Sequence, residues 1–399
     1  MLSCIRRKRS RREGAALFAA RGAVFFALSL AVGCAFDKPA EAPFGAGIPA
    51  ETPNLAGRAF DWLKVRQQPD GSWSGEGAAQ SRTAMTGLAL LAFLAHGETP
   101  ASERYGPTVQ QALRFLIEKD WDGDRFRNAD AGGYAHGIAA LALCEAYGLT
   151  RIPAIKPVAE QAVARIVRGQ QPGGGFNYGL IATSPRRDTC LGAWMAHALA
   201  IARRDGLAVP DLDVAVRRAA AGIRLNYDAR RRMFAYAADT LDPPRPIVGM
   251  LSTTAAGVRA LQILGEGRSR AAQSGADSLR ALAPDFASTT GTPRHPLYVR
   301  YFAAHALRET GGRDWTRWGR ELAESYARAQ QADGSWLAPE NTAERGYGPT
   351  YATVFSLMTL SVFSRRVLPS YQPIPGDTGG LSADGADAAI ERLVHWERP

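Results

Sequence analysis

The sequence predicts an all-α fold of six helical hairpins closed into a ring, and three observations carry that expectation. A heptapeptide recurs as Gln67-Gln68-Pro69-Asp70-Gly71-Ser72-Trp73, Gln170-Gln171-Pro172-Gly173-Gly174-Gly175-Phe176 and Gln330-Gln331-Ala332-Asp333-Gly334-Ser335-Trp336. Each copy follows one helical pattern and precedes another. The patterns alternate in type, one amphipathic and the next apolar nearly all round. A repeated unit that cannot bury its own apolar face stacks on its neighbours and shares one core with them.

The amphipathic set reads Leu55–Gln67, Tyr105–Lys119, Val158–Gln170, Leu212–Leu225, Ser269–Leu282 and Trp315–Gln330. In the first of these, Arg58, Asp61, Lys64 and Arg66 are read on one side and Phe60, Trp62, Leu63 and Val65 on the other. The apolar set reads Thr83–His96, Tyr134–Tyr147, Thr189–Arg203, Thr253–Leu264, Leu297–Arg308 and Tyr351–Phe363, with starts 44 to 64 residues apart. Runs such as Leu88-Ala89-Leu90-Leu91-Ala92-Phe93 are apolar on every side and so are buried on every side. An inner apolar ring wrapped by an outer amphipathic ring satisfies both sets. About 320 residues exceed the usual single core, which suits a ring better than a globule.

Residues 1–33 read as an export leader: a basic start with Arg6, Arg7, Lys8, Arg9, Arg11 and Arg12, then an apolar run from Gly22 to Val32 that is short for a membrane span. Ala31-Val32-Gly33-Cys34 resembles a lipoprotein cleavage box, with Cys34 as the lipidation site. Residues 34–53, rich in Pro and Ala, form a tether, 54–371 the ring, and 372–399 a tail. The chain is expected to be exported to the cell envelope or periplasm and held at the membrane by a lipid anchor.

The leader accounts for six of the ten net positive charges. The remainder is an ordinary solvated surface without the aromatic interleaving of a nucleic-acid binder, so nucleic acid is not an expected partner. Cys144 and Cys190 fall in two different helices and form no disulfide framework.

The repeated heptapeptides are similar to the Gln/Trp repeats of squalene and hopene cyclases and of protein prenyltransferase β subunits, over roughly residues 54–371. Tyr134 to Thr150, Asp188 to Trp194 and Tyr351-Ala352-Thr353 also look like a group of exported planctomycete-type proteins to which no activity attaches. The resemblance implies an (α/α)6 toroid. It also implies that the repeat Gln and Trp brace the end of an outer helix, where Gln can meet carbonyls left unpaired by the helix and Asp-Gly forms the turn.

The Asp-x-Asp-Asp acid of the cyclases has no counterpart. Asp211-Leu212-Asp213 precedes an outer helix, where Asp is a natural cap, and Asp120-Trp121-Asp122-Gly123-Asp124 is a degenerate repeat loop. Asp188-Thr189-Cys190 resembles the Asp-x-Cys segment of the prenyltransferase zinc site, a sensible catalytic donor set with one histidine. The histidine position of that family is Ser252-Thr253-Thr254 here, so His295 or His305 would have to reach across. Asp188 as a helix cap and Cys190 in the wall is the plainer reading, and no cofactor is expected.

The inner-helix starts converge on one mouth of the ring, offering Arg82, Tyr134, His136, Asp188, Trp194, His295, Tyr298, Arg300, Tyr347 and Tyr351. Such convergence is the default form of a ligand site. Tyr134, His136, Trp194, Tyr298, Arg300 and Tyr351 are the candidate ligand contacts. Tyr134, His136 and Asp188 are the candidate acid–base groups if the chain is an enzyme. The leading expectation is a toroid that binds an apolar, isoprenoid- or lipid-like molecule or an envelope protein. The alternatives are a terpene cyclase-like or lyase-like enzyme in the same cavity and a structural protein-interaction scaffold. No Ser-His-Asp spacing, phosphate loop, His-x-x-x-His or Cys-x-x-Cys motif is present.

Overall fold

Twelve α-helices alternate between two rings in the computed structural model, which describes residues 52–123, 125–127, 132–237, 250–292 and 294–364. The leader, most of the tether with Cys34, and the tail lie outside the described residues. The inner helices are α2 (Arg82–Ala95), α4 (Gly133–Thr150), α6 (Thr189–Arg204), α8 (Met250–Ile263), α10 (Pro296–Thr310) and α12 (Gly348–Leu360). The outer helices are α1 (Thr52–Val65), α3 (Gly106–Arg114), α5 (Ile155–Gly169), α7 (Leu212–Arg224), α9 (Arg270–Leu279) and α11 (Gly312–Ala329). Each inner helix packs on the next, and α12 returns to α2, so the ring is closed. The fold is the (α/α)6 toroid.

Composition explains the two layers. Every residue of α2 from Met85 to Ala95 is buried, and the alanines of α4 and α6 let inner helices approach closely. The outer helices bury one stripe only, as Val158, Ala159, Ala162, Val163 and Ile166 do on α5. α5, α7 and α9 each rest on two consecutive inner helices, while α1 lies against α12 and α11. No described helix is long and apolar enough to cross a membrane.

The repeat heptapeptide joins neighbouring units, which corrects the expectation that its Gln meets unpaired carbonyls at a helix C-terminus: the carbonyls lie near the start of the next outer helix. Gln67 Nε2 donates to the carbonyl of Thr108 on α3 (2.9 Å), Gln170 Nε2 to Ala215 on α7 (2.9 Å), and Gln330 Nε2 to Leu55 on α1 (2.9 Å). Trp does meet its own outer helix: Trp73 Nε1 donates to Leu63 and Trp336 Nε1 to Tyr326, both at 2.9 Å. The Asp fixes the turn, since Asp70 and Asp333 each accept from the serine two residues on. A Cβ on Gly71, Gly174 or Gly334 would collide with the backbone of the next outer helix, and all three have positive φ. Only glycine permits that approach.

Other loops follow the same plan with different residues. Trp121 Nε1 donates to Gln161 of α5 at 3.1 Å, as a degenerate brace. Asp211 precedes α7 but does not cap it through its side chain; its φ is 60°. A two-residue hairpin, β1 (Tyr227–Asp228) with β2 (Met233–Phe234), was not expected from the sequence. It presents the Arg230-Arg231-Arg232 run at its turn, where Arg231 pairs with Asp228 at 2.7 Å and Arg232 with Asp277 at 2.8 Å.

Candidate functional site at the mouth of the ring

Two buried carboxylates stand at the starts of inner helices, and tyrosines fill the space around them. Asp188 is extended and caps α6, its Oδ1 accepting from the Leu191 amide at 2.7 Å. The same oxygen accepts from the Tyr134 hydroxyl at 3.3 Å. The Tyr236 hydroxyl also interacts with Asp188 and shares a short hydrogen bond with Tyr178. Burial outweighs these donors and raises the Asp188 pKa.

Glu344, missed from the sequence, is the second acid. It lies in the short helical turn Ala343–Tyr347 ahead of α12, yet its carboxylate caps α10. Oε2 accepts from the Leu297 amide at 2.8 Å, and Oε1 from the Tyr298 amide and the Tyr351 hydroxyl, both at 3.0 Å. Burial raises its pKa to about 7 against those hydrogen bonds and the nearby Arg300 charge. A local search for helix caps assigns each acid to the helix that follows it. Glu344 instead serves a helix 47 residues earlier in sequence.

Tyr298, whose amide donates to Glu344, sits beside Cys190, two residues from Asp188. Its hydroxyl lies against the Cys190 thiol, and its ionisation is opposed by burial, Cys190, Asp188 and Tyr351. Tyr134 is opposed likewise by burial, Cys190 and Asp188. Each phenol is therefore a hydrogen-bond donor rather than a base at neutral pH. Tyr178, 42 % exposed, packs on Tyr134 at the rim with ring centroids 5.5 Å apart. An exposed aromatic in the glycine-rich stretch Gly174–Gly179 was the available signal for it.

Several expected mouth residues face elsewhere. His136 does not reach the mouth: its Nε2 is bonded to the Ala162 carbonyl of α5 at 2.9 Å, and its ring packs on Phe126. Its position in the first turn was right, but it occupies the opposite side of α4 from Tyr134, since two residues turn a helix by about 200°. Trp194 lies in the centre of the ring, 1 % exposed, stacked on Tyr301 at 5.9 Å and edge-on to Phe302 at 5.3 Å. It packs the interior instead of lining the mouth. Arg300 is buried and donates to the Ser288 carbonyl. Arg82 joins Asp70 and Ser72 in the first brace.

The zinc set does not assemble. Asp188 and Cys190 are neighbours, but His295 is stacked on Tyr347 with centroids 6.1 Å apart, and His305 Nε2 is bonded to the Met358 carbonyl at 3.1 Å. Burial and the Asp188 charge push the Cys190 thiol far up, the reverse of what a thiolate ligand needs. Among the described residues no group of three His, Cys, Asp or Glu side chains is arranged to hold a metal ion.

No protein-family model and no curated protein matches the sequence. Solved structures do. A GH76A α-1,6-mannanase from Salegentibacter sp. HEL1_6 aligns with TM-score 0.60 and 12 % identity over 78 % of this chain and 97 % of that one. A type II terpene cyclase from Scytonema, in complex with geranylgeranyl dihydroxybenzoate, aligns with TM-score 0.54 and 14 % identity over 79 % and 97 %. A possible GH105 member from Salmonella enterica serovar Paratyphi A aligns with TM-score 0.53 and 13 % identity over 79 % and 94 %. At such identities the likeness is one of fold. The chain is an (α/α)6 toroid, a scaffold shared by glycoside hydrolases and terpene cyclases.

Proposed function

We propose that this protein is an exported toroid, lipid-anchored at Cys34, that binds an apolar, isoprenoid- or lipid-like molecule at the inner-helix mouth. The observation that carries the reading is the pair of buried acids each bonded by a tyrosine, Asp188 by Tyr134 and Glu344 by Tyr351. Two buried carboxyls set among tyrosine rings offer a few hydrogen-bonding groups within a largely aromatic surround. That suits a ligand with a large apolar body and few polar groups. The fold is shared with a terpene cyclase solved with a geranylgeranyl compound, which supports the size and class of ligand.

A second reading, catalysis by proton donation, is favoured by Glu344. A carboxyl poised near pH 7 is suited to general acid work, and the same fold includes a mannanase inactivated by replacing two aspartates.

Native mass spectrometry of the exported full chain, offered isoprenoid lipids and manno-oligosaccharides in parallel, tests both. Retained lipid mass, lost in Asp188→Asn while the fold persists, supports the binding reading. Lipid converted to a new mass by the wild type but not by Glu344→Gln supports catalysis. Oligosaccharide retained in place of lipid overturns the proposed ligand class. Metabolic labelling with a fatty acid, absent from Cys34→Ala, tests the anchor.

A further inference from the structure

A cleft of about 310 Å³ opens beside the mouth, lined by Arg125, Phe126, Arg127, His136, Arg165 and Tyr178 among others. Three arginines line one space, and no Asp or Glu lines it among the described residues. Two of the three are weakly committed. Arg127 makes a 3.4 Å contact from Nη1 to the Lys119 carbonyl, and Arg125 a 3.5 Å contact from Nε to Asp122. The aromatic wall is fixed: Phe126 packs edge-on to Trp121 at 4.9 Å and against His136 at 5.4 Å. His136 is already bonded to α5 through Nε2, so the arginines supply the recognition.

Tyr178 belongs to both places. It lines the cleft, packs on Tyr134, and hydrogen-bonds to Tyr236 beside Asp188. We propose that the cleft binds an oxyanion, a phosphate or a carboxylate, and that this oxyanion is the polar end of the molecule held at the mouth. Arginine presents paired N–H donors in a planar fork that matches either group, and its charge is permanent. A cleft of this volume lies at the lower end of small-ligand sites, about 300 Å³ upward, which fits a head group. The inference rests on the mouth being the ligand site, and it narrows the ligand from apolar to amphiphilic.

Isothermal titration of the full chain with inorganic pyrophosphate and, separately, with glucuronate tests the proposal and separates the two anion sources. Either anion should bind, with affinity falling as ionic strength rises. Arg127→Gln and Arg165→Gln should each weaken it about tenfold or more, the scale of a lost charge-assisted pair. Arg217→Gln, on outer helix α7, should leave it unchanged. Pyrophosphate alone binding assigns a phosphate, and glucuronate alone a carboxylate. Binding of neither anion, or equal weakening by Arg217→Gln, overturns the cleft. Anion binding by the wild type, with no lipid retained by any form of the protein, sinks the mouth reading and leaves the cleft standing.

Discussion

Trp62 and Asp333 lie 271 positions apart and share a 2.8 Å hydrogen bond from the indole Nε1 to Oδ2. Around it, Arg58 donates to the Gln331 carbonyl at 2.8 Å and Gln330 to Leu55 at 2.9 Å. The sixth repeat thus uses on α1 the contacts that earlier repeats use on the next unit. The ring is closed by its repeat motif, and the Trp62–Asp333 bond is specific to the seam. Trp62→Phe should lower unfolding stability by about 1 kcal/mol, the usual net worth of one hydrogen bond. A double-mutant cycle with Asp333→Asn in urea should return a coupling of about 0.5–1.5 kcal/mol. Strict additivity would show the seam bond to be idle.

Gly174→Ala should be among the costliest small substitutions in the chain. Its φ is +85° and the added Cβ would meet the Arg218 carbonyl inside contact distance, backbone against backbone. Both penalties apply, strain at positive φ and overpacking, for a loss of about 3 kcal/mol. Gly123→Ala is the control: φ is +102° but nothing lies within 4 Å of the new carbon. It should lose only about 1–2 kcal/mol, read from paired urea midpoints.

Stability should fall as pH rises from about 4.5 to 7, through Glu344. Its folded pKa of about 7 lies above the ordinary value of 4.5, so the folded state holds the proton more tightly. The contribution is fully present below the unfolded pKa and is lost as pH rises through the folded one. The shift corresponds to at most about 3 kcal/mol. Asp188, also raised, acts in the same direction. Asp228 and Asp333, lowered by their hydrogen bonds, act in the opposite direction at lower pH. Glu344→Gln should flatten the decline between pH 5 and 8 in denaturant titrations; an unchanged slope would remove Glu344 as its source.

The ring was legible because it depends on periodicity. All-apolar runs such as Leu88–Leu94 mark inner helices, and the repeated Gln, Asp-Gly and Trp mark the joints. What the joints bond to was not legible, since Gln67 reaches Thr108 across 41 residues. The site was half legible. Asp188 and Tyr134 are at helix starts and share a hydrogen bond, and Tyr351 bonds Glu344, whereas His136 shares a start with Tyr134 and turns the other way. Glu344 escaped because its target is α10, a relationship made by ring closure rather than by neighbours in sequence.

Both described cysteines should be silent in the native protein. Cys144 and Cys190 are buried and unpaired. Burial raises both thiols, with Asp205 and Glu145 adding to the effect at Cys144 and Asp188 at Cys190. The thiolate is the reactive form, so raised pKa and lost access act together. With Cys4 and Cys34 replaced by serine, the folded chain should react with Ellman's reagent at less than about one hundredth of the denatured rate, as opening of a stable core is rare. Asp188→Asn removes the charge nearest Cys190 yet keeps an oxygen for the Leu191 amide. It should therefore lower the Cys190 pKa without opening the mouth, and native reactivity should stay slow. Rapid labelling of Cys190 in the native protein would mean that reagents enter between Tyr134 and Tyr298, and that the floor of the mouth is open.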